Sequence, residues 1–181
     1  MLMLSLTIRV MRVKKYPLAA LQMKRRRKTY QNSPLKTLLS MSKKKVLFVC
    51  IHNSARSQMA EAFLNQLGKG KYEAESAGIE KGTLNPIVVE AMQEIGIDIS
   101  KNQTKDVFGF FKQGKIYHNV ITVCDEASAE RCPVFPGMAK QLHWSFTDPS
   151  QFQGTHPEKL EQTRKVRDEV KNRIEKFIQE D

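Results

Sequence analysis

Two short apolar runs constrain the fold of this chain most strongly, because each of them ends in a cysteine. The first reads Lys45-Val-Leu-Phe-Val-Cys50 and the second reads Asn119-Val-Ile-Thr-Val-Cys124. Continuous apolar runs of this length are typical of parallel strands that are buried on both faces. Functional groups of parallel sheets gather at the carboxyl ends of the strands. The two cysteines are therefore predicted to lie at the same edge of one sheet.

Helical patterns alternate with the predicted strands. A helix is expected from Ser57 to Leu67 and another after Asn85-Pro86, with an apolar stripe of Val88, Ala91, Met92 and Ile95 that Gly96 ends. Further strands are predicted over 72–77 and 140–146, a short helix over 107–112, and a long helix from Pro157 to the C-terminus. Residues 125–137 read as a loop or a marginal helix. This order predicts a three-layer α/β fold, with a four-stranded parallel sheet and helices on both faces.

The basic charge of the chain is concentrated in residues 1–40. Ten of the 30 Lys and Arg residues lie there and none of the 19 Asp and Glu residues, so residues 41–181 are near neutral. Residues 1–40 are interpreted as an upstream extension or a disordered tail, since Met41 leads directly into the first strand. A targeting segment and a basic arm for anionic surfaces are the alternatives. Residues 41–181 are predicted to form the folded domain, and their charge does not indicate nucleic-acid binding.

The cysteine count argues against a fixed disulfide framework. Cys50, Cys124 and Cys132 are an odd number, and they form no CxxC pair of the zinc-binding kind. In a reducing compartment such thiols are either reactive or simply buried. The chain has no apolar run long enough to span a bilayer and no clean secretory signal. We therefore expect a cytoplasmic protein without membrane contact, and a monomer.

Residues 50–56 form a Cys-x5-Arg sequence between the first strand and the first helix. The backbone N–H groups of such a loop and the positive end of the helix make a cradle for a tetrahedral oxyanion. Arg56 adds a planar pair of donors, and the same positive field favours the reactive thiolate of Cys50. The candidate oxyanion-binding residues are Ile51, His52, Asn53, Ser54, Ala55, Arg56 and Ser57. Ser57 is also a candidate donor to the thiolate, and a buried structural cysteine is the alternative interpretation.

The segment from Val49 to Glu61 resembles the arsenate reductases that are related to low-molecular-weight protein tyrosine phosphatases. Other matching segments follow in the same order and extend the resemblance over residues 44–180: Ser76-Ala77-Gly78-Ile79, Asn85-Pro86, Gly96-Ile97-Asp98-Ile99-Ser100, Val123-Cys124, Cys132-Pro133, His143-Trp144, Asp148-Pro149 and Val166-Arg167-Asp168-Glu169. The resemblance implies the low-molecular-weight phosphatase fold. It also implies reduction of arsenate, with phosphate and sulfate as competing oxyanions.

The resemblance further implies a relay of three thiols. Cys50 attacks the bound arsenate, Cys124 then attacks Cys50 as arsenite leaves, and Cys132 moves the disulfide to Cys124–Cys132. Thioredoxin is the implied reductant of that last disulfide, and no cofactor is expected to be tightly bound. Each transfer needs a thiolate that can reach a sulfur atom. Inert core thiols are the alternative for Cys124 and Cys132.

Two further sites are implied by the resemblance. Asp148 matches the carboxylate that acts as general acid in the phosphatase relatives, although Asp before Pro is also a common turn residue. Asn53, Glu61, Ser76 and Asp106 match positions that hold a potassium ion in some relatives, and oxygen ligands suit such a hard cation. A solvated helix carboxylate is the alternative for Glu61.

The chain departs from the best-known thioredoxin-linked members of the family in three places. Ile51-His52 replaces Thr-Gly, Ala55 stands where a second cysteine is frequent, and Cys124 and Cys132 are eight positions apart, one more than usual. His52 is either a group that tunes the thiolate or contacts the anion, or a loop histidine without a role.

Two rival functions use the same sequence. A phosphatase of phosphotyrosine or of small phosphate esters would need Cys50, Arg56 and Asp148 alone, but Ser150 stands where the tyrosine phosphatases usually have an aromatic residue. A binding or regulatory protein would act through the basic residues 1–40, and such binding would weaken steeply with salt.

Overall fold

The computed structural model describes residues 42–125 and 138–181. The predictions for residues 1–40, for Cys132 and for most of the segment 125–137 therefore lie outside the described residues. Lys43–Asp181 forms one compact unit. Within the described part of the chain, no helix is both long enough and apolar enough to cross a membrane.

The sheet has four parallel strands, as the sequence predicts, and their order is β2-β1-β3-β4. The strands are β1 (Lys44–Cys50), β2 (Tyr72–Gly78), β3 (Asn119–Thr122) and β4 (Lys140–His143). Because β1 lies between β2 and β3, the chain winds away from β1 in both directions, and ligands of α/β sheets bind at such a switch point. The strand β1 ends there in Cys50.

Four α-helices and one 3₁₀ turn accompany the described strands. They are α1 (Arg56–Leu67), α2 (Pro86–Gln93), α3 (Val107–Lys112), the turn Pro149–Gln151 and α4 (His156–Glu180). Capping residues mark the N-termini of α2 and α4. Asn85, which precedes Pro86, is the N-cap of α2 and its side chain accepts a hydrogen bond from Ile87 N. Thr155 and Glu158 form a capping box at the start of α4.

Helices cover both faces of the sheet, which confirms the three-layer prediction. Along β1, Val46, Phe48 and Cys50 face one apolar cluster and Leu47 and Val49 face the other. The larger cluster contains the apolar faces of α1, α2 and α4, and the smaller one contains residues of α3. Both faces of β1 are buried, so its carboxyl end is fixed in position by packing on two sides.

Three predicted boundaries are wrong by a few residues. The helix α2 ends at Gln93, so Ile95 lies beyond it and is 40% exposed instead of completing the apolar stripe. The strand β3 ends at Thr122 instead of Cys124, and β4 ends at His143 instead of Phe146. In each case the apolar pattern continues past the end of the regular element, and periodicity does not register that end.

Candidate active site

The loop after β1 turns its carbonyl groups toward residues 79–85. Cys50 O accepts from Ile79 N at 3.1 Å and Ile51 O from Glu80 N at 2.9 Å. His52 O accepts from Gly82 N at 2.9 Å, and Ser54 O accepts from Asn85 N at 3.0 Å. In a trans peptide the N–H group points opposite to the carbonyl group. The amide groups of the loop are therefore directed to the opposite side, where the Cys50 sulfur lies.

One residue of the loop has a left-handed backbone, which is a feature of anion-binding nests. Asn53 has φ of +51°, in the left-handed region that asparagine tolerates better than most residues. The helix α1 begins directly after Ala55, whose side chain cannot cap the first N–H groups. The positive end of α1 therefore faces the loop without a competing side-chain acceptor, as the predicted oxyanion site requires.

The Cys50 sulfur lies within hydrogen-bonding distance of two donor groups. The backbone N–H of Asn53 donates to it at 3.1 Å, and the Ser57 hydroxyl lies 2.9 Å away. Cys50 is only 3% exposed, so these contacts are shielded from water. Two donors aimed at one sulfur stabilise its negatively charged form.

The side chain of Asn53 fixes the orientation of the Ser57 hydroxyl. Its Oδ1 accepts from Lys105 N at 2.8 Å and from Gln58 Nε2 at 3.1 Å, which determines which atom of the amide is the nitrogen. The Nδ2 group donates one hydrogen to Ser57 Oγ at 2.9 Å and the other to Ser76 Oγ at 2.8 Å. Since Ser57 already accepts a hydrogen bond, its own hydrogen is available for the Cys50 sulfur.

Arg56 is buried and held by acceptors from two other segments. Its Nη2 donates to Asp148 Oδ2 at 2.6 Å, and its Nη1 donates to Phe146 O at 3.1 Å and to Asp125 Oδ2 at 3.2 Å. Asp148 also accepts from Ser150 N at 3.0 Å and caps the 3₁₀ turn. The structure therefore brings the predicted general acid to the predicted anion-binding arginine, and Asp148 has the turn role as well.

Cys124 follows β3 at the same edge of the sheet as Cys50. The residue before it, Val123, donates from its backbone to Val49 O at 2.8 Å, so the chain still runs beside the end of β1. Within the described residues neither thiol is part of a disulfide, and Cys124 is completely buried in the apolar cluster that also contains Cys50. The structure thus brings two of the three predicted thiols to neighbouring strand ends.

Hydrogen bonds join three of the four predicted potassium ligands. Asn53 and Ser76 are hydrogen-bonded, and Ser76 donates to Glu61. Asp106 instead caps α3, where its Oδ1 accepts from Gly109 N at 2.7 Å. An ammonium group is present at Glu61: Lys105 Nζ lies 2.9 Å from Oε2 and 3.2 Å from Oε1. Three of the four predicted potassium ligands thus form an oxygen cluster that is paired with a lysine, and potassium binding stays a prediction.

His52 lies at the rim of the loop. Its side chain is 50% exposed and its Nδ1 is 3.9 Å from the Glu80 carboxylate, which is 73% exposed. The contact is at the limit of an ion pair and is open to solvent, so it contributes little energy. This position agrees with the interpretation of His52 as an exposed loop residue.

The sequence reasoning missed two groups that support the loop. One is Lys105, which had no recognisable signal because its contact with Glu61 joins separate parts of the chain. The other is the segment 79–85, in which Gly82 approaches the loop closely: a Cβ atom there would lie 2.8 Å from His52 Cβ and 2.9 Å from His52 O. Gly82 could have been noticed in the sequence as a glycine within the region of family resemblance, but only the packing shows that a side chain there would clash with His52.

Comparison with known proteins places these features in a family. Residues 45–180 match the family model of the low molecular weight phosphotyrosine protein phosphatases. The chain is 44% identical over 142 residues to the arsenate reductase of Bacillus subtilis strain 168, which covers 77% of this chain and 98% of that protein.

Solved structures agree with this match. An arsenate reductase in the phosphate binding state has a TM-score of 0.61 and 35% identity, covering 76% of this chain and 98% of the other. The thioredoxin-dependent arsenate reductase of Corynebacterium glutamicum has a TM-score of 0.55 and 26% identity, covering 76% of this chain and 60% of the other. The chain thus belongs to the low molecular weight phosphotyrosine protein phosphatase family, among its arsenate reductases.

Proposed function

We propose that residues 41–181 reduce arsenate to arsenite, with Cys50 as the nucleophile and Cys124 and Cys132 as the thiols that carry the oxidation away. The observation that carries the proposal is the Cys50 sulfur, which receives donors from Asn53 N and Ser57 inside an anion-binding loop. The arsenate reductase of Bacillus subtilis matches over 98% of its length at 44% identity, and this supports arsenate as the substrate.

The first step forms a bond between sulfur and arsenic. The loop amides and the end of α1 bind the oxyanion, and Arg56 supplies two further donors. The Cys50 thiolate attacks arsenic, one arsenic–oxygen bond breaks, and the oxygen leaves as water after it has been protonated. Asp148, which contacts Arg56 at 2.6 Å, is the proposed proton donor to that oxygen.

The second step is the reduction. The thiolate of Cys124 attacks the Cys50 sulfur, the electron pair of the sulfur–arsenic bond passes to arsenic, and As(V) becomes As(III). Arsenite leaves and a Cys50–Cys124 disulfide remains. The neighbouring strand ends that carry the two thiols support this transfer. Both thiols are buried in one apolar cluster, so this transfer would take place away from solvent.

The third step restores Cys50. The thiolate of Cys132 attacks Cys124, the Cys50 thiolate is released, and the disulfide is now Cys124–Cys132. A dithiol reductant then takes up the oxidation by thiol–disulfide exchange. Thioredoxin is the proposed reductant, since a structural relative is thioredoxin-dependent. Such a cycle needs reducing surroundings, so we propose a cytoplasmic location.

Hydrolysis of phosphate esters is the second candidate, because arsenate and phosphate have the same shape. A groove beside the loop favours it: Leu84, Pro149 and Phe152 line the groove together with Ser54 of the loop. An apolar leaving group would fit against such a surface. This activity would use Cys50, Arg56 and Asp148 and would have no need of Cys124.

The experiment that tests the proposed function measures arsenite formation with thioredoxin, thioredoxin reductase and NADPH. We expect turnover with the wild type and none with Cys50→Ser, Cys124→Ser or Cys132→Ser. Hydrolysis of p-nitrophenyl phosphate is measured beside it. If only Cys50→Ser abolishes arsenite turnover, the relay is wrong, and ester hydrolysis without arsenite formation favours the phosphatase.

A further inference from the structure

Beneath the Cys50 loop, a chain of hydrogen bonds runs from the sulfur to a partly buried carboxylate. It passes from Cys50 to Ser57, from Ser57 to Asn53, from Asn53 to Ser76 and from Ser76 to Glu61. Cys50 is nearly buried, the three middle residues are completely buried, and the Glu61 side chain is 17% exposed. The position of the Glu61 carboxylate at the far end therefore affects the position of the groups that surround the Cys50 sulfur.

Every link of this chain has one direction when Glu61 is negatively charged. The carboxylate can only accept, so the Ser76 hydroxyl donates to it. Ser76 Oγ then accepts from Asn53 Nδ2, whose second hydrogen goes to Ser57 Oγ. The Ser57 hydrogen is left for the Cys50 sulfur. The charge of Glu61 fixes only the link from Ser76, because the Asn53 amide donates in both of its links whatever that charge. The pair of Glu61 and Lys105 therefore holds Ser76 and the Asn53 amide in place beneath the nucleophile.

A charged carboxylate with so little exposure needs a cation. Lys105 provides it, with Nζ at 2.9 Å and 3.2 Å from the two oxygens of Glu61. Lys105 also contacts the chain through its backbone, since its N–H donates to Asn53 Oδ1 at 2.8 Å. One residue therefore both neutralises the end of the chain and holds the amide in its middle.

We propose that the ammonium group of Lys105 is a built-in cation beneath the Cys50 loop, which takes the place of a potassium ion, and that Lys105 is a positioning residue for the nucleophile. The inference rests on the proposed role of Cys50. An ammonium and an alkali ion carry the same charge and compete for the same Glu61 oxygens, so they repel each other at one site. Asp106, which would complete a potassium site, caps α3 and lies 3.7 Å from Lys81 Nζ.

The proposal predicts that removal of the ammonium creates a potassium-dependent protein. Lys105→Met keeps the length of the side chain without its charge, and Lys105→Arg keeps the charge. Lys81→Met is the matched control, because it removes the same charge from a side chain that is 64% exposed and pairs with Asp106 instead of Glu61.

Two measurements that need no arsenate test the prediction. One is the rate of Cys50 alkylation by iodoacetamide near neutral pH, followed by mass spectrometry of the Cys50 peptide. The other is the unfolding temperature Tm in KCl and in choline chloride at equal ionic strength. For Lys105→Met in choline chloride we expect alkylation to be about tenfold slower, the equivalent of one charge-assisted hydrogen bond. KCl should restore most of that rate and raise Tm, whereas the wild type, Lys105→Arg and Lys81→Met should not distinguish the two salts.

The proposal is overturned if Lys105→Met alkylates at the wild-type rate, or if its slower rate responds equally to KCl and choline chloride. The wild type supplies a test even if that variant does not fold: a rise in its Tm that is specific to KCl would show that an alkali ion still binds. Failure of the proposed function would appear separately, as absence of arsenite formation with an intact alkylation rate.

Discussion

Two strand ends carry the two described thiols, and their surroundings differ. The Cys50 sulfur at the end of β1 receives donors from Asn53 N and Ser57, within a loop whose carbonyls are held by another segment. Cys124, beyond the end of β3, is completely buried in an apolar cluster. One end is organised for a charged sulfur before any substrate binds. The other keeps its thiol away from solvent until the structure around it changes.

The difference teaches how a protein can hold two thiols together without oxidising them prematurely. A thiolate is the attacking species in disulfide formation, and apolar burial disfavours it. In the proposed relay, the loop would therefore provide reactivity toward the oxyanion, and burial of Cys124 would delay the second step. Asp125, next to Cys124, connects the two regions because it accepts from Arg56 at 3.2 Å.

The largest expected effect comes from Arg56→Ala. The variant loses two donors to the bound oxyanion and leaves Asp148 without its buried partner. We expect kcat/KM for arsenate to fall by about a thousandfold, the size typical for loss of a preorganised charged donor. The measurement is arsenite formation under thioredoxin coupling. A loss below tenfold would contradict the assignment of the oxyanion site to this loop.

Removal of one donor to the sulfur should have a smaller effect. Ser57→Ala deletes the hydroxyl that lies 2.9 Å from Cys50, while the donor Asn53 N remains. We expect Cys50 alkylation near neutral pH to slow by about tenfold to thirtyfold, as for one hydrogen bond to a charged group. Ser150→Ala, an exposed serine outside the loop, is the control. Equal rates in both variants would mean that the hydroxyl does not stabilise the thiolate.

Substitution of Asp125, the residue after Cys124, should strengthen anion binding by the loop, whereas the two previous substitutions weaken the function of the loop. The Asp125 carboxylate competes with an oxyanion for Arg56 Nη1, so Asp125→Asn should bind phosphate about fivefold more tightly, which corresponds to about 1 kcal/mol for a partly exposed ion pair. Isothermal titration calorimetry with phosphate measures this affinity. Asp98→Asn removes the same charge elsewhere and should not change it. Weaker phosphate binding in Asp125→Asn would show that the Asp125 carboxylate does not compete with the anion.

The smallest effect concerns Glu75 of β2, which contacts Lys115 and Tyr117. Burial opposes ionisation of Glu75, but hydrogen bonds from Lys115 and Tyr117 lower its pKa below the ordinary 4.5. A lowered pKa means that the charged form stabilises the fold above the ordinary pKa, and that this stability is lost as pH falls through the lower, folded-state pKa. Glu75→Gln should therefore cost about 0.5–1 kcal/mol at neutral pH and progressively less in acid, in urea unfolding. Its Cys50 alkylation rate should equal that of the wild type.

Much of the fold and of the site could be predicted from the sequence, because the signals are local. The apolar runs that end in Cys50 and Cys124 predict two of the strands, and the Cys-x5-Arg spacing predicts the loop and the candidate nucleophile. The pairing of Lys105 with Glu61 and the close approach of Gly82 to His52 could not be predicted. Each depends on how separate segments meet, and no periodicity or spacing in the sequence encodes that contact. The end of α2 at Gln93 was missed for a related reason, since the apolar pattern continues to Ile95 after the helix has stopped.

The most direct test of the relay is a single turnover of Cys132→Ser with arsenate and no reductant. The thiol that normally resolves the first disulfide is absent, so the reaction should stop after about one equivalent of arsenite, with Cys50 and Cys124 joined in a disulfide. Mass spectrometry of the unreduced peptides detects that linkage. Arsenite formed without a Cys50–Cys124 linkage, or no arsenite at all, would contradict the transfer of oxidation between the two strand ends.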